Sequence, residues 1–281
     1  ISRTLTVHQE RAIAHITASV EARHFETSLL FGVTGSGKTE VYIRAIEKVL
    51  AQGGSALVIV PEIALTPQLF DLFYSRLSTP LGLLHSQVGT SLRWTHWQAI
   101  IEGKLRVVIG ARSAVFAPLP NLQLIIVDEE HESSYKQSDG FRYHARDVAV
   151  MRAKLSKCPI VLGSATPSYE SLLNAVQKKY VLLEMPERAT TRPLPKIEIV
   201  DLNKFKAKQR ASSLISPPLF EAMRDNLARG NQTIILYNRR GFSSYLQCDS
   251  CNEVVMCIHC SVPLVYHKRS HRLLCHYCDA R

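Results

Sequence analysis

The stretch Gly32-Val33-Thr34-Gly35-Ser36-Gly37-Lys38-Thr39 fits the phosphate-loop pattern G-x-x-x-x-G-K-[ST] at every fixed position. An apolar segment at residues 28–31 precedes it, and apolar residues at mostly helical spacing follow it over residues 40–50. This order predicts a strand, a Gly-rich loop and a helix, in which backbone N–H groups and the helix dipole surround a polyphosphate. We expect Lys38 to reach the β and γ phosphates and Thr39 to bind Mg²⁺. A Gly-rich turn that binds nothing is the alternative.

Composition sets the broad class of the protein. The chain has 281 residues and is 46% hydrophobic, which is enough to bury a core in one or two domains. Its net charge of +10 favours a phosphate-rich partner, although a merely basic surface would give the same value. No apolar run approaches the roughly 18 residues of a membrane span, so we expect a cytoplasmic protein without a membrane partner. A chain that begins at Ile1 rather than Met is expected to be a fragment or a processed product.

Short apolar segments alternate with helical patterns after the phosphate loop. Strands are predicted at residues 56–60, 82–85, 105–109, 122–127 and 159–163, and helices at residues 5–20, from Pro67 onward, and at residues 91–102. This alternation predicts an α/β fold, with a parallel sheet covered by helices on both faces and a ligand at the carboxyl ends of the strands.

Consecutive acidic residues follow the predicted strand at residues 122–127, in the segment Asp128-Glu129-Glu130-His131. Asp128 would hold Mg²⁺, directly or through water, and Glu129 would orient and deprotonate an attacking water. An acidic cap at the strand end is the alternative, and it is less favoured because the phosphate loop requires a magnesium partner.

The composition changes after this first lobe, which is predicted to span residues 1–184. Residues 185–196 are rich in Pro, Arg and Thr and are interpreted as a linker. The start of a second lobe is predicted at residues 197–247, with a helix at residues 216–229 and a strand at residues 233–237.

Six of the seven cysteines form three C-x-x-C pairs in the last part of the chain, residues 248–281. Without a secretory signal, metal-binding thiolates are favoured over disulfides or spare thiols. The spacing of Cys257, Cys260, Cys275 and Cys278 approximates a four-thiolate zinc ribbon, with a hairpin that turns at residues 267–270.

Cys248 and Cys251 are left as half of a second zinc site whose partner pair is missing. His259, His271 or His276 could substitute for that pair. Cys158 stands alone before a predicted strand and is interpreted as a buried structural thiol.

Together these motifs resemble those of the superfamily-2 DExH helicases, and among them the primosomal replication-restart helicases (the primosomal protein N-prime family). The resemblance runs from about residue 5 to residue 278 and rests on five motifs in the family's order: Gly32 to Glu40, Asp128 to His131, Gly163 to Ser168, Asn238 to Gly241, and the interleaved cysteine pairs. It implies a RecA-like phosphate-loop lobe, the beginning of a second RecA-like lobe, and part of a region that holds two Zn²⁺ ions in the complete protein. One of those zinc sites would be complete here.

The resemblance also implies roles that the residues alone do not. Gln9, which by itself is interpreted as an ordinary exposed side chain, would recognise adenine and select ATP. Arg112 and Ser113 would contact the backbone of a single DNA strand, as would Pro61-Glu62. The residues that would couple hydrolysis to DNA movement are His131, Ser164, Ala165 and Thr166.

The segment at residues 136–147 is similar to the family's aromatic-rich loop. The rings of Phe141, Tyr143 and His144 would stack on bases, and Arg142 and Arg146 would meet phosphates. A surface helix start with core aromatics is the alternative.

The resemblance therefore implies an ATP-dependent 3′–5′ DNA helicase that acts in replication restart and primosome assembly at stalled forks. Its partners would be single-stranded and forked DNA, primosome proteins and single-strand-binding protein. We expect this chain alone to be inactive or weak, since the arginine finger of the second lobe is not in it. Two other functions remain open: a nucleic-acid translocase that does not unwind, and a nucleotide switch with a zinc binding module.

Overall fold

The computed structural model describes residues 5–64, 67–86, 88–189, 196–205, 215–236, 248, 251, 253–267 and 272–280. The chain divides into two compact units, Ile1–Leu194 and Pro195–Arg281. The predicted domain bounds at residues 184, 196 and 247 remain predictions.

A seven-stranded parallel sheet forms the centre of the first unit. Its strands are β1 (Thr27–Gly32), β2 (Ser55–Ile59), β3 (Leu81–Leu84), β4 (Val107–Gly110), β5 (Leu122–Asp128), β8 (Ile160–Ser164) and β9 (Val181–Met185). The order across the sheet is β3-β4-β2-β5-β8-β1-β9. Two further strands, β6 (Lys136–Gln137) and β7 (Tyr143–His144), form a separate antiparallel hairpin.

Six α-helices accompany these strands in the described part of the first unit: α1 (Val7–Ala22), α2 (Lys38–Ala51), α3 (Pro67–Leu77), α4 (Thr90–Ile101), α5 (Ala145–Ser156) and α6 (Tyr169–Val176). Thr6 and Gln9 form a capping box at the start of α1. Gly37 precedes α2 with φ of 84°, a left-handed conformation that favours glycine. None of the described helices has the length and apolar character needed to cross a membrane.

Apolar side chains cover both faces of the sheet, as the sequence predicts. Successive residues of β2 point to opposite faces: Ala56 and Val58 belong to one cluster, whereas Leu57 and Ile59 belong to the other. Helices α1, α2 and α3 contribute to the first cluster, and α4 and α5 contribute to the second. The strands are therefore buried on both sides, and the α/β fold with a doubly covered parallel sheet is confirmed.

The predicted strands of the first lobe lie within two residues of the observed ones, but α5, α6 and β9 were not predicted. In α5 the buried residues are the small Ala145, Ala149 and Ala153, whereas the larger Met151 and Leu155 are exposed. The apolar periodicity of α5 is thus weak in the sequence. Met185, assigned to the linker, instead ends β9 and pairs with Gly32.

The second unit contains α7 (Pro217–Ala228) and an antiparallel hairpin of β10 (Val265–His267) and β11 (Arg272–Leu274). The hairpin and the helix agree with the predictions, and most of the predicted turn falls outside the described residues. The strand predicted at 233–237 is wrong for residues 233–236, because an apolar segment becomes a strand only by pairing and no described strand pairs with it. Tyr237 and the Asn238–Gly241 motif lie outside the described residues.

Candidate nucleotide and nucleic-acid site

The phosphate loop lies between the carboxyl end of β1 and the start of α2. The Lys38 ammonium donates a hydrogen bond to the carbonyl of Gly32 at 3.1 Å. The Ser36 hydroxyl is buried and has no hydrogen-bond partner among the residues that the structure describes. Because a buried polar atom without a partner is rare, this hydroxyl beside a glycine-lined loop fits an anionic group bound there.

A further cation, which belongs to no sequence motif, lies against the same loop. The Arg188 Nε atom donates to the Thr34 carbonyl at 3.2 Å, and the Ala189 N–H donates to the Gly35 carbonyl at 2.9 Å. These residues follow β9, which pairs with β1. Their position depends on that pairing, so no local sequence pattern indicates Arg188.

Gln9 connects α1 to the phosphate loop. Its side chain is buried, the Nε2 atom donates to the Ser36 carbonyl at 3.0 Å, and the Oε1 atom accepts from the Thr6 N–H at 2.8 Å. The interpretation of an ordinary exposed glutamine is therefore wrong, because both ends of the amide have partners within the protein. Adenine recognition by Gln9 remains a prediction.

Two carboxylates reach the loop from the carboxyl end of β5. Asp128 is half-buried and accepts a hydrogen bond from the Tyr42 hydroxyl at 2.8 Å. Burial raises the pKa of Asp128 above its ordinary value, and the hydrogen bond from Tyr42 opposes this rise. Glu129 lies 4.0 Å from the Lys38 ammonium, so the structure brings together Lys38 and the two acids that the sequence assigns to catalysis. Tyr42 was not predicted, because only the fold places α2 beside Asp128.

The four residues predicted to couple hydrolysis to movement also come together, with Ala165 lying between Ser164 and Thr166 in the chain. The His131 Nδ1 atom lies 2.7 Å from the Ser164 hydroxyl, and its Nε2 atom lies 3.3 Å from the Thr166 hydroxyl. His131 is also 3.7 Å from Glu129. One imidazole thus contacts both the acid at the end of β5 and the segment that follows β8.

Glu130 is fully buried and holds a polar network that the sequence did not indicate. Its Oε1 atom accepts from the Ser168 N–H at 2.7 Å, and its Oε2 atom accepts from the hydroxyls of Ser168 and Ser171 at 3.0 and 2.8 Å. The Arg146 guanidinium donates to the same oxygen at 3.0 Å and also pairs with Asp147. Arg146, predicted to meet a phosphate, is therefore mostly buried and bound to an internal acid.

The other predicted loop residues lie on or beside the β6–β7 hairpin. Phe141 and Arg142 are exposed, with Phe141 77% accessible, whereas Tyr143 and His144 are half-buried. The ring of Tyr143 lies 5.9 Å from that of Phe141 and packs edge to face against Phe116 at 5.1 Å. Burial lowers the pKa of His144, which keeps this ring neutral at neutral pH.

A cleft of about 450 Å³ separates this hairpin from the end of β4; we call it the Arg112 cleft. Arg112 donates two hydrogen bonds, to the carbonyls of Ser134 and Lys136 at 3.1 and 3.0 Å. The lining includes Glu62, Arg93, Arg112, Ser113, Phe141 and Tyr143. Most of the residues predicted to contact DNA therefore lie around one concave surface.

The four cysteines selected by spacing form one cluster in the second unit. The sulfurs of Cys257, Cys260, Cys275 and Cys278 all lie within 4.8 Å of one another. Tetrahedral zinc with bonds of about 2.3 Å requires sulfurs about 3.8 Å apart, so this donor set fits the ion. The Tyr277 N–H donates to the Cys275 sulfur at 3.4 Å, and this hydrogen bond lowers the pKa of that thiol to about 7. Cys248 and Cys251 lie outside the cluster, and the second site remains a prediction.

The phosphate-loop unit and the cysteine cluster each match a known protein family. Residues 6–175 match the DEAD/DEAH box helicase family, and residues 257–281 match the PriA DNA helicase Cys-rich region (CRR) domain. The first match covers six of the seven strands of the sheet and its helices through most of α6, and β9 lies beyond it. The second match covers the cysteine cluster.

Individual relatives extend the similarity over nearly the whole chain. The chain is 43% identical over 274 residues to the replication restart protein PriA of Bacillus subtilis, covering 98% of this chain and 34% of that protein. It is 46% identical over 280 residues to the PriA of Chlamydia muridarum, covering 99% of this chain and 37% of that protein. The chain thus spans about a third of the length of the curated relatives it matches. Among solved structures, RecG bound to a three-way DNA junction has a TM-score of 0.55 at 22% identity, covering 82% of this chain and 29% of that one, which is a likeness of fold.

Proposed function

Because the chain belongs to the DEAD/DEAH box helicase family, we propose that it carries the ATP site of a DNA helicase that acts in replication restart. The observation that carries this proposal is the convergence of Lys38, Asp128 and Glu129 at the carboxyl edge of one parallel sheet. The replication-restart role is supported by the PriA relatives.

Each residue of the site has a chemical task in this proposal. The phosphate loop binds the triphosphate of ATP through its backbone N–H groups, with Lys38 on the β and γ phosphates. Thr39 and Asp128 would hold Mg²⁺, which neutralises phosphate charge when bound. Glu129 orients the attacking water and accepts its proton. His131 contacts both Glu129 and Thr166. It would therefore couple ATP hydrolysis to movement of the segment after β8.

The DNA single strand would lie in the Arg112 cleft. Arg112 and Arg142 supply positive charge, while the exposed ring of Phe141 supplies a face for base stacking. We further propose 3′–5′ movement along the strand and contacts with forked DNA, primosome proteins and single-strand-binding protein in the complete protein.

The cysteine cluster would hold one Zn²⁺ ion through four thiolates, and Cys248 with Cys251 would contribute to a second. The proposed helicase needs ATP, chromosomal DNA and reduced cysteine thiols in the same compartment. The cytoplasm supplies all three, and we place the protein there.

The assignment of Lys38 and Glu129 can be tested with a fluorescent ATP analogue on this chain and with a phosphate-release assay on the complete protein. We expect Lys38→Ala to weaken magnesium-dependent ATP binding at least tenfold, because it removes the cation that faces the phosphates. Glu129→Gln should preserve binding and abolish the slow hydrolysis that single-stranded DNA stimulates. Lys48→Ala is the matched control, since Lys48 lies on the same helix and pairs with Glu21 away from the loop.

Two results would count against the proposal in different ways. Unchanged ATP binding by Lys38→Ala would remove the nucleotide site. Hydrolysis by the complete protein that does not respond to single-stranded DNA would leave a nucleotide switch rather than a motor.

A further inference from the structure

A second cavity, of about 430 Å³, lies beside the Arg112 cleft, between α4 and the short helix at Arg112–Phe116. We call it the aromatic pocket and define it by Arg93, Trp94, Trp97 and Phe116, which line it. Trp94 is 61% exposed and Phe116 is 45% exposed, whereas Trp97 is half-buried. Several large rings that face one open cavity mark a binding surface more often than an ordinary solvated face.

The aromatic pocket is continuous with the Arg112 cleft. Arg93 and Ser113 line both cavities. Phe116 also packs edge to face against Tyr143, which in turn lies next to Phe141 in the cleft. A row of aromatic rings therefore runs from the exposed hairpin into the pocket.

The chemistry of the pocket wall selects among possible occupants. The lining is largely apolar and aromatic, and no carboxylate is among the described residues that form it. Its guanidinium, on Arg93, is shared with the cleft. A nucleobase suits this combination, because it has two flat apolar faces and is covalently attached to a phosphate that would face Arg93. An apolar peptide side chain would fill the pocket but would leave Arg93 without a counter-charge.

We propose that the aromatic pocket receives one unstacked base of the single strand whose backbone lies in the Arg112 cleft. This inference rests on the proposed function, since it requires a single strand in that cleft. The base stacks on Trp94 and Phe116, and Arg93 contacts the adjoining phosphate. Stacking of this kind tolerates any base, so the pocket adds affinity without sequence preference.

The chain itself supplies the probe for this proposal. It has two tryptophans, and both line the pocket, so intrinsic tryptophan fluorescence reports its occupancy. The fluorescence is titrated with an oligothymidylate strand and with an abasic strand of equal length and charge. Affinity for each labelled strand is measured in parallel by anisotropy. We expect the oligothymidylate to quench the fluorescence and to bind more tightly than the abasic strand.

Trp94→Ala should weaken binding of the oligothymidylate about 5- to 20-fold, the effect of losing one stacking surface, and should leave abasic binding nearly unchanged. Trp94→Phe should retain most of the affinity and leave Trp97 as the reporter. Because Trp94 is exposed, these changes spare the core. Tyr169→Ala, which removes another exposed ring on α6, should have no effect on either strand.

The outcomes separate this proposal from the one on which it rests. Equal affinity for both strands, or unchanged oligothymidylate binding by Trp94→Ala, would overturn the aromatic pocket while leaving DNA binding intact. Failure to bind either strand at low salt, where phosphate contacts are strongest, would overturn the helicase assignment as well.

Discussion

Replacing Glu130 by Gln should destabilise the first unit more than the same acid-to-amide change at an exposed glutamate of that unit. The Glu130 carboxylate is fully buried and accepts hydrogen bonds from Ser168, Ser171 and Arg146. Glutamine keeps the shape and one acceptor oxygen, but it turns an NH₂ group toward the guanidinium. The substitution therefore breaks a buried ion pair and leaves the cation facing a donor.

The size of the effect follows from this geometry. Removing one partner of a buried ion pair costs about 3–5 kcal/mol. We expect the lower end, about 3 kcal/mol, because Arg146 retains Asp147 and the new amide oxygen can still accept from Ser168. For a unit of this size, that loss corresponds to a fall in melting temperature of about 6–12 °C.

Thermal unfolding followed by circular dichroism measures this change, with Glu170→Gln as the matched control on exposed α6. In the double variant Glu130→Gln/Arg146→Met the unpaired cation is also removed. We expect the double variant to be more stable than the sum of the two single changes predicts, because the two residues interact directly.

The reasoning would be refuted if Glu130→Gln melted within about 2 °C of the unchanged protein, which corresponds to less than about 1 kcal/mol. Additive effects in the double variant would likewise show that Glu130 and Arg146 do not depend on each other.

Two other substitutions test the sites near the nucleotide and the metal. Tyr42→Phe removes the hydrogen bond to Asp128, so the pKa of that acid, already raised by burial, should rise further. Magnesium-dependent ATP binding should therefore be lost at a higher pH than in the unchanged protein. Tyr74→Phe, at an exposed ring, is the control, and coincident pH profiles would contradict the role of Tyr42. Cys257→Ser should reduce the zinc content by about one ion per chain, because a closed structural site needs all four thiolates. Cys158→Ser, at a cysteine outside the cluster, should leave the zinc content unchanged. A colorimetric zinc assay distinguishes the two results, and equal zinc in both variants would exclude the proposed cluster.

The sequence predicted those features whose chemistry is contained in a short segment. The phosphate loop is a continuous run of residues, and the acids at Asp128 and Glu129 follow directly from an apolar strand. Strands buried on both faces are nearly continuous apolar runs, so their positions were predicted to within two residues. The four-cysteine cluster was identified because a short hairpin suffices to bring its two pairs together.

Only the tertiary structure decided which distant residues meet. Because β8 lies beside β5, Asp128 pairs with Gly163, and this places Glu130 against Ser168 and His131 against Ser164. The pairing of β9 with β1 likewise brings Arg188 to the phosphate loop. Such contacts depend on strand order, which local spacing does not encode. For the same reason Arg146, which resembles an exposed phosphate ligand in the sequence, is bound to an internal acid in the folded chain.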